Sequence, residues 1–304
     1  MTRTLRRSRA LLAAGIASLV LCSCGIVSNP SQAFSVDGSS FSRNDLNDLV
    51  KSLAQVDQLT IVNQIAQSKD LLGILDVVVQ YRTAKRLLET RGTPVTDAER
   101  AAIRSQAVSQ LPTSMPANTV DLLVDISATG KALDKIKEPT PSELEAMYAA
   151  KPASTGMLCV REITVASAES AKDVVDQLAE GAKFADVARK VSRTKNAKET
   201  GGNVLTGAGV PCMSVPQAGA NTALGETVVR SLLHTPVGSN TGVVRDAKGW
   251  HVAEHRPFAE IRDSLVAGLK ETPGRSFATG LLATADIKVN SVYGTWNPVT
   301  AKVE

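Results

Sequence analysis

Leu178-Ala179-Glu180-Gly181-Ala182-Lys183-Phe184-Ala185-Asp186-Val187-Ala188-Arg189-Lys190-Val191-Ser192, followed by Gly201-Gly202-Asn203-Val204, is the stretch that decides the fold. Apolar residues recur in it at helical spacing, and Gly181 interrupts them. A helix capped by Ser167 is therefore expected to end near Glu180, with a second short helix over residues 184–188. Upstream, residues 158–166 read as a strand. Downstream, Gly201-Gly202 marks a tight backbone feature. Residues 206–223, rich in Gly, Pro, Ala and Ser, read as a long loop. A short helix over residues 226–233 follows. Residues 243–245 and 250–253 read as two strands joined by a hairpin turn over residues 246–249.

Outside this unit the pattern is helical. Ser42, with Asp45 three residues on, opens a first helix carrying Leu46, Leu49, Val50 and Leu53 on one face. Residues 70–91 form a second, its inward face read as Ile74, Val77, Val78, Tyr81, Ala84 and Leu88, and Gly92 stops it. Thr96-Asp97-Ala98-Glu99 is a capping box, residues 119–136 suggest another helix, and Thr140-Pro141-Ser142-Glu143 starts one more. Helices over residues 259–270 and 277–283, with Pro273 as a break between them, and a strand over residues 287–289 complete the chain.

The order strand, helix, helix, Gly-Gly turn, helix, hairpin resembles a parvulin-type (PpiC-like) prolyl isomerase domain. Four signatures carry the resemblance: Arg161-Glu162-Ile163-Thr164-Val165; the stretch from Leu178 to Ser192; Gly201-Gly202-Asn203-Val204; and Pro236-Val237-Gly238 through Val243-Val244 to Gly249-Trp250-His251-Val252. It implies an α+β fold, with an FKBP-like domain at residues 155–258 inserted into a helical module of residues 36–150 plus 259–304. The flanks and the tail Ile287-Lys288-Val289-Asn290-Ser291-Val292-Tyr293-Gly294-Thr295-Trp296 resemble SurA- and PrsA-like foldases, the tail in the form found in actinobacterial lipoproteins. The resemblance implies that the C-terminal segment packs back onto the N-terminal helices.

The family's site pairs an apolar proline pocket with two His and a Cys or Asp. Here His251 matches the His of the last strand, and Glu162 stands at the first-strand His position. The Cys/Asp position falls among Arg193, Thr194 and Lys195. Met213, Leu224 and Val228 are the candidates for the pocket. The bland readings are a structural imidazole for His251 and, for Glu162, a carboxylate paired with Arg161 or Arg193. His234 at a helix end and His255 at a strand end among charges read as structural or solvated. No cofactor motif and no metal-ligand spacing is present.

The 304 residues carry 34 Lys+Arg and 30 Asp+Glu, a net +4. Arg3, Arg6, Arg7 and Arg9 lie in residues 1–23, which hold no acid, so 30 basic and 30 acidic residues remain beyond them. That balance gives no sequence-wide basic footprint for nucleic acid. The basic run, an apolar run over residues 10–20 too short to span a bilayer, and Leu21-Cys22-Ser23-Cys24 resemble a bacterial lipoprotein signal. Cleavage after Ser23, a lipid on Cys24 and a tether over residues 24–35 are implied, on the extracytoplasmic face of the membrane. Cys159 and Cys212 then face an oxidising compartment, as a disulfide or as two buried thiols. Three functions are compatible: a lipid-anchored prolyl isomerase for exported proteins, a non-catalytic chaperone binding unfolded client segments, or a ligand-binding lipoprotein.

Overall fold

The computed structural model describes residues 29–55, 61–62, 65–66 and 68–304. The stretch read as a lipoprotein signal, with Cys24, lies outside them. The chain enters through β1 (Gln32–Val36) and β2 (Ser39–Ser42), so residues 32–35, read as the end of a tether, are already a strand with Ala33 and Phe34 fully buried. The Ser42 hydroxyl accepts the Asp45 N–H at 3.0 Å and opens α1 (Arg43–Gln55). A two-residue pair, β3 (Ile61–Val62) and β4 (Ile65–Ala66), precedes α2 (Ser68–Thr90). Both capping boxes form, at Thr96 for α3 (Asp97–Ala107) and at Thr140 for α5 (Pro141–Ala150), with α4 (Ala117–Leu133) between them. The inward face of α2 holds Val78, Tyr81, Ala84 and Leu88, but Val77 is exposed, because the first half of the helix is only partly covered by its neighbours.

A 3-10 turn over Pro152–Thr155 leads into β5 (Met157–Leu158) and β6 (Val160–Val165). Then come α6 (Ala168–Ala179), capped by Ser167, α7 (Phe184–Val191) and the short α8 (Ala197–Thr200). The stretch read as a long loop contains β7 (Met213–Ser214) and α9 (Val215–Ala220). Ser214 and Gln217 make a full capping box, with Pro216 in the first turn, and these local bonds nucleate a helix despite the glycines of the stretch. α10 (Gly225–Leu232) precedes the hairpin of β8 (Val244–Asp246) and β9 (Gly249–His255). Asp246 pairs with Gly249 in the ladder, so the turn proper is two residues.

α11 (Phe258–Leu269) and α12 (Pro273–Thr284) follow, Pro273 starting α12 rather than merely breaking a helix, since a missing N–H costs nothing in a first turn. β10 (Ile287–Val289) returns to β1, placing Phe34 opposite Val289. β11 (Trp296–Asn297) and β12 (Lys302–Val303) close the chain, and the Trp296 indole N–H donates to the Leu282 carbonyl at 3.2 Å.

The antiparallel sheet β6–β9–β8 is covered on both faces. Side chains alternate along a strand, so Ile163, Val165 and Val252 face α6 and α7, packing on Ala171, Val174, Phe184 and Ala188. Val160, Val244 and Ala253 face α9 and α10, packing on Val215, Val228 and Leu232. A disulfide joins Cys159 to Cys212, fixing the loop before β7 to the start of β6 beneath α11.

Candidate functional site

The polar cluster follows from the register of that sheet. Thr164 lies opposite His251 on β9, and His251 lies opposite Val244 on β8. Glu162, two residues before Thr164, and Asp246, two after Val244, therefore project from the same face as His251. His251 and Glu162 are fully buried, and Asp246 is 13% exposed. His251 Nδ1 sits 2.8 Å from a Glu162 carboxylate oxygen, and Nε2 sits 2.8 Å from Asp246 Oδ1. With a carboxylate on each ring nitrogen, the imidazolium form satisfies both contacts. Burial alone would lower the His251 pKa, but the bonds and charges of Glu162 and then Asp246 outweigh it and hold it above the ordinary imidazole value. Burial likewise opposes the Asp246 charge. The Lys248 N–H, the His251 contact and the Gly249 N–H prevail, and its carboxyl stays below the usual range.

Two hydroxyls complete the cluster. Thr194 donates to Glu162 at 2.7 Å, and Thr164 donates to the oxygen that also meets His251. The segment carrying Thr194 is pinned to the edge of β6. The Thr164 and Thr194 N–H groups share the Ser192 hydroxyl, each at 3.2 Å, and the Arg193 N–H reaches the Thr164 carbonyl at 2.8 Å. Farther along the same edge the Glu162 N–H donates to Gly202 and the Val204 N–H to Val160. A Cβ on Gly202, whose φ is +81°, would stand 2.7 Å from the Glu162 carbonyl oxygen, so this approach requires glycine.

His251, Thr164 and Thr194 form one wall of an open cavity of about 610 Å³. The other walls come from Arg193, residues 195–196, residues 203–207, residues 221–223 and Lys248. The residues read as a proline pocket are not among them. Met213, Leu224 and Val228 are buried in the core between the sheet and α9–α10, where they fill volume and offer no surface. Val204, Leu205 and Ala223 supply the apolar lining instead.

Glu162 pairs with His251, and not with Arg161 or Arg193. Neighbouring strand residues point to opposite faces, and Arg161 engages Asn203, Glu254 and Glu260 on the far side. Asp246 was concealed by its position in a hairpin turn, a role its Oδ1 also fills by accepting the Lys248 and Gly249 N–H groups. His255 is buried, not set among charges. Its Nε2 donates to the Leu232 carbonyl at 3.0 Å, Nδ1 has no partner, and the Tyr148 ring stands edge-on 6.4 Å away. Among the described residues no group of His, Cys, Asp and Glu is disposed to hold a metal ion.

The family model for the rotamase, PPIC-type PPIase domain matches residues 159–256. No curated protein matches the chain. Solved structures similar to it include PrsA from Bacillus subtilis, at 15% identity and TM-score 0.29, covering 81% of this chain and 89% of that one. Foldase protein PrsA from Streptococcus pneumoniae is 15% identical at TM-score 0.28, covering 83% and 91%. A SurA-like chaperone structure from Campylobacter jejuni, from work on PEB4 and Cj1289, is 17% identical at TM-score 0.26, covering 80% and 90%. The family match places the sheet that carries Glu162, Asp246 and His251 inside the matched segment: residues 159–256 are a PPIC-type PPIase domain.

Proposed function

We propose that the chain is an extracytoplasmic foldase, lipid-anchored through Cys24 after cleavage behind Ser23, that turns X–Pro bonds of exported polypeptides in the cavity beside His251. One observation carries the catalytic part: a buried imidazole held between two carboxylates forms the wall of an open cavity in the PPIase domain. Rotation about an X–Pro bond meets a barrier of about 18–20 kcal/mol, because resonance places negative charge on the carbonyl oxygen and positive charge on nitrogen. Behind that wall the cluster of Glu162, Asp246 and the His251 imidazolium carries a net charge of minus one. Facing the carbonyl, it disfavours that charge-separated form and so favours the twisted amide. The Thr164 and Thr194 hydroxyls both donate to Glu162, which keeps that carboxylate fixed behind the cavity wall. His251 and Glu162 act as a fixed electrostatic unit, and no proton need move. Residues 36–150 and 259–304 form the client-holding module in this reading.

A protease-coupled assay on an X–Pro peptide tests it. The wild type accelerates isomerisation and His251→Ala loses most of the gain. For the anchor, intact mass of membrane-extracted protein carries a diacylglyceryl adduct, and Cys24→Ala is released into the soluble fraction. No helix among the described residues is long and apolar enough to cross a membrane.

A non-catalytic chaperone is the second reading, favoured by a separate observation. Leu49, Leu53, Ile74, Val77, Leu123 and Ile126 line an apolar groove of about 460 Å³ between α1, α2 and α4. Background isomerisation together with suppressed client aggregation, lost on Val77→Asp, would select it.

A further inference from the structure

We propose that the cavity beside His251 selects client segments carrying Asp or Glu next to the proline, through Arg193, Lys195 and Lys248. The inference rests on the cavity being the client site. All three cations line it, and no carboxylate residue shares the lining. None of the three makes an ion pair among the described residues, although the neighbouring His251 pairs with both Glu162 and Asp246. The patch is local, because the chain beyond residue 23 has equal numbers of acids and bases.

The cations stand on fixed backbone. The Arg193 N–H is bonded to the Thr164 carbonyl, and Lys195 follows Thr194, whose hydroxyl touches Glu162. On the opposite rim, the Lys248 ammonium donates to the Thr222 carbonyl at 2.7 Å, and its backbone N–H meets Asp246. Positive charge therefore brackets the polar cluster from two sides. Three cations set against the net minus one of that cluster leave the cavity at plus two. The apolar lining is thin, since Met213, Leu224 and Val228 are withdrawn into the core. Hydrophobic grip on a proline ring is correspondingly small, and a carboxylate beside the proline supplies the discrimination.

The test uses the full chain and three peptides differing only before the proline: Glu-Pro, Gln-Pro and Lys-Pro. Binding is read by fluorescence anisotropy and isomerisation by NMR exchange. Glu-Pro is expected to bind about tenfold more tightly than Gln-Pro, with Lys-Pro weakest. The advantage should shrink as salt rises and screens charges over about 10 Å or less. The triple variant Arg193→Glu, Lys195→Glu, Lys248→Glu, checked for an unchanged melting profile, should reverse the order. Equal binding of Glu-Pro and Gln-Pro, an order unchanged in the variant, or no binding of any peptide overturns the proposal. Glu-Pro preference without isomerisation leaves it standing while the isomerase reading fails. Isomerisation without preference does the reverse.

Discussion

His255 makes stability depend on pH in a calculable way. Its Nε2–H is committed to the Leu232 carbonyl, and its buried Nδ1 faces no acceptor, so a second proton would put an unpaired charge into the core beside Tyr148. Burial drives its pKa down to about 4, against 6.5 for an unperturbed imidazole, with the Leu232 bond only a partial counterweight. A group depressed on folding stabilises above its unfolded value and loses that contribution as pH falls toward its folded value. The window is therefore pH 6.5 down to 4. The full difference corresponds to about 3 kcal/mol, of which about 2 kcal/mol is lost between pH 7.5 and pH 5. His255→Gln keeps a donor for Leu232 and cannot titrate. Urea unfolding of both proteins at the two pH values isolates the effect, because other titrating groups, including His251 with its opposite sign, are common to both. The wild type should lose about 2 kcal/mol more than the variant on acidification. Equal losses would refute the argument that His255 is neutral and partnerless inside.

Three further outcomes follow from the geometry. Asp246→Asn removes one carboxylate from the imidazole, so an NMR titration should find the His251 pKa lowered, whereas an unchanged value would mean that Asp246 does not hold the charge. Gly280→Ala would set a Cβ 2.3 Å from the Ser154 carbonyl oxygen, where α12 lies on the 3-10 turn, and should cost about 3 kcal/mol or more by thermal denaturation. Reducing the Cys159–Cys212 bond, which closes a 53-residue separation, should lower stability by about 4 kcal/mol on the loop-entropy scale, and intact mass must show the two-hydrogen change.

What could be read from the sequence was what short-range chemistry determines. The Ser42, Thr96 and Thr140 starts are written in residues three apart, and the Gly201-Gly202 turn in a backbone approach that only glycine permits. The α9 helix was written the same way, in Ser214-Val215-Pro216-Gln217, but composition over the wider stretch concealed it. The site divides along the same line. His251 was legible from its strand. The Glu162 partner was legible in principle, because alternation excludes Arg161, yet finding His251 opposite required the register of β6 on β9. Asp246 joins across the two-residue hairpin turn, five residues from His251, and Thr194 joins only through tertiary contact. For Met213, Leu224 and Val228, apolar character alone cannot distinguish a residue that lines a cavity from one that fills the core behind it.

In the proposed function, the imidazole held between Glu162 and Asp246 makes residues 159–256 a working isomerase. Its most direct measurement is the cis-to-trans rate of an X–Pro peptide with the full chain, set beside His251→Ala of verified fold. The wild-type rate should exceed the uncatalysed one and fall toward it in the variant. A wild-type rate equal to background, or a variant as fast as the wild type, would contradict it.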